Sequence, residues 1–365
     1  MEVTRKKRVD ILLRKSIFLT AAFALGYVFS IFHVPAGWLI GAVVVGIFYR
    51  FVIGELSFHS FYFDISLALI GVSIGLTIQF EMFRAITSYI VPLILSMFAI
   101  LIGAWVLGKI LYHYSNLDKK TALFCCVPTG VSIMIGLSND YKADTNVVAA
   151  FQTTRVLLFV STMPILAGIM SSLFVEESTS TTTNQLEQTI AMPFPGAEFV
   201  IYTTLIVITL GLAFIWKIPV ASFLYGLIVG FVWNQFVYEV PPMPNLFIGV
   251  GMVILGVMIG LKFDKQSLVQ LKQIGRISVI VLGLNFALVF AVSYMFYMFT
   301  DVGYFTSLLS VVPAGAPQMA SIAAVIGLDA TVVSSMQIIR LLAVVVLIPT
   351  VIPFLVDKPV KQRNL

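Results

Sequence analysis

Apolar runs fill nearly the whole chain, separated by short polar punctuation. A membrane-crossing helix needs about 20 mostly apolar residues, and the pattern predicts such spans at 16–32, 35–53, 62–79, 88–112 and 146–173. A second set follows at 198–216, 219–238, 245–261, 277–300 and 331–356. Each set encloses one apolar segment interrupted by proline and glycine, at 121–138 and at 306–327. The predicted class is an all-α integral membrane protein, with about five transmembrane helices and one broken or re-entrant segment in each half. One stretch is hydrophilic enough to be a linker: VEESTSTTTNQLEQT at 175–189, rich in Ser and Thr and free of Lys and Arg. It divides the chain into a first membrane repeat at 1–174, a polar extracytoplasmic linker at 175–197 and a second membrane repeat at 198–365.

The two halves are copies of one another. CCVPTGVSIMIG (125–136) followed by TNVVAAFQTTRVLL (145–158) returns as LSVVPAGAPQMASIAAVIG (309–327) followed by LDATVVSSMQIIRLLA (328–343). Pro128 aligns with Pro313, Gly130 with Gly315, Met134 with Met319, Asp144 with Asp329, Gln152 with Gln337 and Arg155 with Arg340, all 185 residues apart. Earlier parts match too: IFHVPAGWLIGAVVVG (31–46) with WKIPVASFLYGLIVG (216–230), and IGVSIGLTIQF (70–80) with LGVMIGLKFDK (255–265). One fixed offset over so many positions marks an internal duplication, and duplication constrains fold before any single motif does.

Composition agrees with the periodicity. Of the 365 residues, 59% are hydrophobic and 11% charged, less than half the roughly 25% charge of soluble domains. A large soluble domain is therefore excluded. The basic N-terminus is followed by an apolar run with no small-residue cleavage signature, so the first helix is expected to be retained. The net charge of +5 would suggest nucleic acid in a soluble protein; here the cations sit at helix ends, as the positive-inside rule predicts.

Loop charges also choose between two topologies. If the interrupted segments crossed fully, the halves would share one orientation, and the cluster Lys262, Lys265, Lys272 and Arg276 would lie outside. If they give each half an odd number of net crossings, the halves are inverted. Both termini, Arg50, Lys119, Lys120, Lys217 and the 262–276 cluster then lie in the cytoplasm, with Glu176, Glu177 and Glu187 outside. The Lys and Arg distribution favours inverted repeats in a multi-pass protein of the plasma membrane.

Interrupted helices in inverted repeats characterise secondary transporters, whose sites lie where the breaks meet near the midplane. Proline removes a backbone donor, and irregular backbone at membrane depth must be satisfied by protein, water or ligand. The two Pro-X-Gly breaks are expected to converge on one cavity, with Pro128, Thr129, Gly130 and Ser132 from the first copy and Pro313, Gly315 and Gln318 from the second. The plainer alternative is a pair of proline kinks in packed helices. Arg155 and Arg340 lie about ten residues into their apolar helices, where insertion scales charge about 2.5–3.5 kcal/mol. Gln152 and Gln337, three residues earlier, share their helix face. All four are candidate substrate contacts, and the arginines are expected to attract an anionic substrate or to replace a metal ion as counter-charge between half-helix ends; the alternative is that the arginines satisfy orphan carbonyls of a broken helix, and the readings are compatible. Asp144 and Asp329 read as helix N-caps. The glycines of GVSIGL (71–76) and GVMIGL (256–261) read as helix-packing positions.

His33, His59 and His113 are scattered, and the adjacent Cys125 and Cys126 suit neither a disulfide framework nor a metal knuckle. No Walker motif, nucleophile elbow or dinucleotide fingerprint occurs. The expectation is neither an enzyme nor a cofactor protein.

At these residues the chain resembles the membrane AbrB family of duplicated integral membrane proteins. VPAGWLIGA at 34–42 is similar to that family's opening motif. The Pro-X-Gly-X-X-X-Met pattern at 128–134 and 313–319, with Gln-X-X-Arg at 152–155 and 337–340, resembles its repeated motif. The resemblance covers nearly the full chain. It implies kinship with inverted-repeat cation–proton antiporter and anion transporter folds, in which a scaffold supports a mobile core carrying crossed, broken helices in an elevator-like arrangement. The motif's acidic position is Ile133 in one copy and Gln318 in the other, which argues against proton coupling through a carboxylate there. The ammonia monooxygenase label attached to the family finds no metal ligands here. A regulatory role of the AbrB type, affecting gene expression indirectly without transport, is the alternative; the sequence carries no DNA-binding element. The expected partners are a small-molecule or ion substrate and the lipid bilayer, with no nucleic acid; a homodimer stays open.

Overall fold

The computed structural model describes residues 2–32, 34, 36–128, 131–174, 197–216, 220–263, 265–340 and 343. Among them the chain is helical, with no strand. The first half contains α1 (Glu2–Ile31), α2 (Gly37–Val52), α3 (Ser60–Gly75), α4 (Phe80–Tyr114), α5 (Lys119–Cys126), α6 (Val131–Asp140) and α7 (Thr145–Phe174). The second contains α8 (Ala197–Ile215), α9 (Ala221–Phe236), α10 (Asn245–Gly260), α11 (Lys265–Ile274), α12 (Arg276–Met298), α13 (Tyr304–Val311), α14 (Ala316–Val325) and α15, residues 330–340. The hydrophilic stretch 175–189 and most of the expected last span lie outside the described residues.

The duplication reaches down to the backbone. Helices α2 and α9 are 184 residues apart at both ends, while α3 and α10, α5 and α13, and α6 and α14 are 185 apart at both ends. Ala36 and Val220, before α2 and α9, both take the left-handed conformation (φ 52° and 59°). Lys142 and Gly327 repeat another positive φ at 55° and 74°. Such a conformation costs a non-glycine residue about 1–2 kcal/mol, so its recurrence shows both copies folding the same way.

Among the described residues, five helices are long and apolar enough to cross a membrane: Leu13–Ile31, Tyr89–Tyr114, Thr145–Leu166, Glu198–Ile215 and Arg276–Met298. Four more, in α2, α3, α9 and α10, are apolar but no longer than 16 residues, roughly 24 Å against a hydrocarbon core of about 30 Å. One stretch departs from expectation. The basic segment before the 277–300 span was expected as a loop, yet 265–274 forms α11. Leu271 and Ile274 pack on the core beside it, giving this short piece an apolar face. Gly275 (φ 86°) ends it, a backbone that glycine adopts without a Cβ clash. The corresponding region of the first half is the single helix α4.

The chain divides into two compact units. One comprises Met1–Met82, Ser161–Phe263 and Ala320–Thr331; the other comprises Phe83–Val160, Asp264–Met319 and Val332–Leu365. In the first unit, α2 packs on α10 and α9 on α3, so each copy's second helix lies against the other copy's third. Both pairs run parallel: Gly256 and Gly260 meet Leu39 and Val43, as Gly71 and Gly75 meet Phe223 and Leu227. A Cβ at Gly71 would stand 2.5 Å from the Phe223 carbonyl oxygen, and one at Gly260 2.5 Å from that of Val43. These are the glycines read from the sequence as packing positions, and only a missing side chain permits this approach. Helices α3 and α10 run antiparallel. Lys262, past the end of α10, lies over the Phe63 ring near the start of α3 at 5.7 Å, and Gly251, early in α10, meets Ile70, late in α3.

Candidate functional site

In the second unit, α5 stops at Cys126 and α6 starts at Val131; α13 stops at Val311 and α14 starts at Ala316. The stops follow from proline. In a continuing helix the Phe124 carbonyl would accept from the N–H of residue 128, but Pro128 has none; the Leu309 carbonyl loses Pro313 in the same way. Both orphans are satisfied from 28 residues downstream. Gln152 Nε2 donates to Phe124 O at 2.7 Å and to Val127 O at 2.9 Å. Gln337 Nε2 donates to Leu309 O at 2.6 Å and to Val312 O at 2.9 Å. Leaving such a carbonyl unsatisfied costs about 1–3 kcal/mol, so each glutamine stabilises the helix end that its proline creates.

The arginines stand beside the glutamines. Arg155, fully buried, donates from Nη1 to Val127 O at 3.3 Å. Arg340 donates from Nη1 to Val311 O and from Nη2 to Gln337 Oε1. Both guanidinium groups thus sit at the carbonyl end of a short helix, where the dipole is negative. This matches the reading in which the arginines satisfy the break. Arg340 also reaches a cavity.

That cavity is lined by Pro128, Pro313 and Arg340 together with Met97, Ile100 and Leu101 of α4. It brings the two prolines, one from each copy, to a single space. At about 10 Å³ it holds about one water molecule, and none of the described lining residues is a carboxylate. The α4 residues were not foreseen: three apolar side chains in an apolar span leave no trace in the sequence.

The other expected site residues divide as follows. Gly315 has φ 105°, and its missing Cβ would stand 2.2 Å from Gln318 Oε1, so the buried Gln318 amide folds back over its own turn. Gln152 and Gln337, expected to meet substrate, spend their amide nitrogens on backbone. Thr129 and Gly130 lie outside the described residues, as does the side chain of Ser132 on α6. Asp144 caps α7, accepting from the N–H of Asn146 and Val147 at 3.0 and 3.1 Å, and Asp329 accepts from Thr331 N at 3.0 Å. The first break is tied down further: Thr121 Oγ1 accepts from Asp144 N at 2.9 Å.

A second, larger cavity of about 560 Å³ lies between α4 and α5, lined by Trp105, Gly108, Lys109, Tyr112, His113, Lys119 and Leu123. The sequence signal for it is the i, i+4 pair Trp105 and Lys109 at the end of an apolar span.

Comparison with known proteins matches most of the chain to one family. Residues 17–356 match the family described as "Transition state regulatory protein AbrB". The chain is similar to "Putative regulator AbrB" of Escherichia coli (strain K12), 23% identical over 326 residues, covering 88% of this chain and 91% of that protein. It is also similar to "Uncharacterized protein YhjN" of Bacillus subtilis (strain 168), 22% identical over 364 residues, covering 94% and 93%. With the family match running through both copies, from α1 past α15, this all-helical membrane protein belongs to the AbrB family.

Proposed function

We propose that the protein is a secondary transporter of a small anionic or zwitterionic solute, working by alternating access. The observation that carries this is the one cavity lined by Pro128 and Pro313, from opposite copies, together with Arg340. In this reading α5 with α6, and α13 with α14, are two interrupted membrane segments whose helix ends converge on the solute. The antiparallel course of the equivalent helices α3 and α10 supports inverted repeats, and the basic loops support cytoplasmic termini in the plasma membrane. The unit holding α1–α3 and α8–α10 would serve as scaffold and the other as the mobile core. A water-sized cavity admits no solute, so loading requires the cavity to open.

The arginines recognise the solute as an anion. Of the two, Arg340 lines the cavity, and none of the described lining residues is a carboxylate to neutralise its charge. Neutral solutes would gain nothing from that charge.

The test is flux into proteoliposomes, using hits from a thermal-shift screen of small carboxylates, inorganic anions and zwitterions. Arg155→Ala and Arg340→Ala should each cut flux at least about tenfold, as expected for losing a charged hydrogen bond of about 1.5–3 kcal/mol. Unchanged rates in both variants would remove the anion site. The regulatory reading rests on the names of the family and of one relative. Saturable, stoichiometric binding with no flux for any hit would favour it.

A further inference from the structure

The cavity between α4 and α5 lies apart from the proline-lined space, and the transport reading makes no use of it. Its α4 residues, Trp105 to His113, fall in the last ten positions of the apolar span Tyr89–Tyr114, the part that a crossing helix would bring toward the headgroup layer. The lining is two-sided. Leu123 and Gly108 form an apolar floor; a Cβ on Gly108 would stand 3.1 Å from Leu123 Cα, so the two helices meet closely there. Trp105 and Tyr112 supply aromatic walls, and Lys109, His113 and Lys119 the polar edge. Lys109 Nζ lies 3.5 Å from the centroid of the Trp105 ring, a cation–π contact that holds the ammonium at the pocket rather than leaving it to wander. The nearest acid in sequence, Asp118, is turned onto its own helix, accepting from the N–H of Lys120 and Thr121 and from the Thr121 hydroxyl.

We propose that this pocket binds the phosphate of an anionic phospholipid headgroup. Lys109 and Lys119 would meet the phosphate, and the rings and Leu123 would cover the glycerol and upper acyl carbons. A free inorganic anion would use the two lysines and leave the aromatic walls and apolar floor without a partner; a lipid uses all of them. With Lys119 and Lys120 on the cytoplasmic side, as the loop charges argue, the lipid belongs to the cytoplasmic leaflet, where anionic headgroups attract basic residues.

The test uses the purified full chain in detergent, titrated with short-chain phosphatidylglycerol, phosphatidylcholine of the same chain length, and inorganic phosphate, followed by tryptophan fluorescence. Phosphatidylglycerol should bind in preference to the other two. In Lys109→Gln/Lys119→Gln its affinity should fall about 25-fold, at about fivefold per lysine, while Lys272→Gln leaves it unchanged. Equal affinity for the two lipids, or no loss in the double variant, overturns the proposal; inorganic phosphate binding as tightly as phosphatidylglycerol overturns the lipid as its source. Should the double variant fail to fold, a headgroup-spin-labelled phosphatidylglycerol should quench wild type more than Trp105→Phe. Equal fractional quenching of the two overturns the site.

Discussion

Gln152 and Gln337 are more informative than the arginines beside them. Each stands 24 residues after a proline and donates to the carbonyl which that proline orphans. The proline and the glutamine are therefore one device, and removing the glutamine should act through stability before it acts on flux. Gln337→Ala removes the donor to the Leu309 carbonyl, while the Val312 carbonyl keeps the Ala314 N–H at 3.0 Å, and should cost about 1–3 kcal/mol for the group left unsatisfied, read as a lowered melting temperature in detergent. Gln337→Glu should be worse, because it sets a carboxylate oxygen against two carbonyl oxygens. A melting temperature unchanged in both variants would show that the break is satisfied by something else. Gln152→Ala should repeat the result in the first copy, since the same carbonyl positions are engaged there.

At the scale of elements, glycine decides how closely the copies approach. Gly71, Gly75, Gly256 and Gly260 sit where a Cβ would stand 2.5–2.6 Å from a carbonyl oxygen of the facing helix. Backbone cannot move aside as a flexible side chain does, so Gly71→Val or Gly256→Val should destabilise by at least about 1–3 kcal/mol. Gly211 and Gly283 meet nothing within 4 Å and lie inside helices, and alanine there should be neutral or stabilising by up to about 1 kcal/mol. Comparing the melting temperatures of the four variants checks this. If Gly71→Val loses no more than Gly211→Ala, the close approach at Gly71 is not what limits stability. The packing role was legible in the small-residue spacing of GVSIGL and GVMIGL; the partner helix was not, because spacing marks a face without naming what covers it.

Orientation belongs to the whole molecule. Inverted repeats require Lys119 and Lys272 to share one side of the membrane and the 175–189 linker to lie on the other. Single-cysteine variants Lys119→Cys, Lys272→Cys and Ser180→Cys, probed in intact cells with a membrane-impermeant maleimide, should label only at Ser180→Cys. Cys125 and Cys126 are fully buried and should stay silent. Labelling of Lys272→Cys from outside would make the repeats parallel and remove the crossing-point site.

The sequence by itself determined the membrane class, the duplication and the places where the helices stop, because these follow from local chemistry. Apolar length, a fixed offset of 184 or 185 residues and a proline without an N–H can each be read one segment at a time. It also determined that Arg155 and Arg340 need buried partners, since a charge that deep in an apolar helix cannot go unsatisfied. Tertiary structure alone decided what those partners are: carbonyls of the preceding short helix, 28 and 29 residues upstream. It likewise decided that Met97, Ile100 and Leu101 complete the proline-lined cavity, and that Trp105 and Lys109 face α5 across a pocket. An apolar side chain in an apolar span has the same sequence signature whether it meets lipid, core or solute. Only the fold distinguishes them, by bringing together residues that the chain keeps far apart.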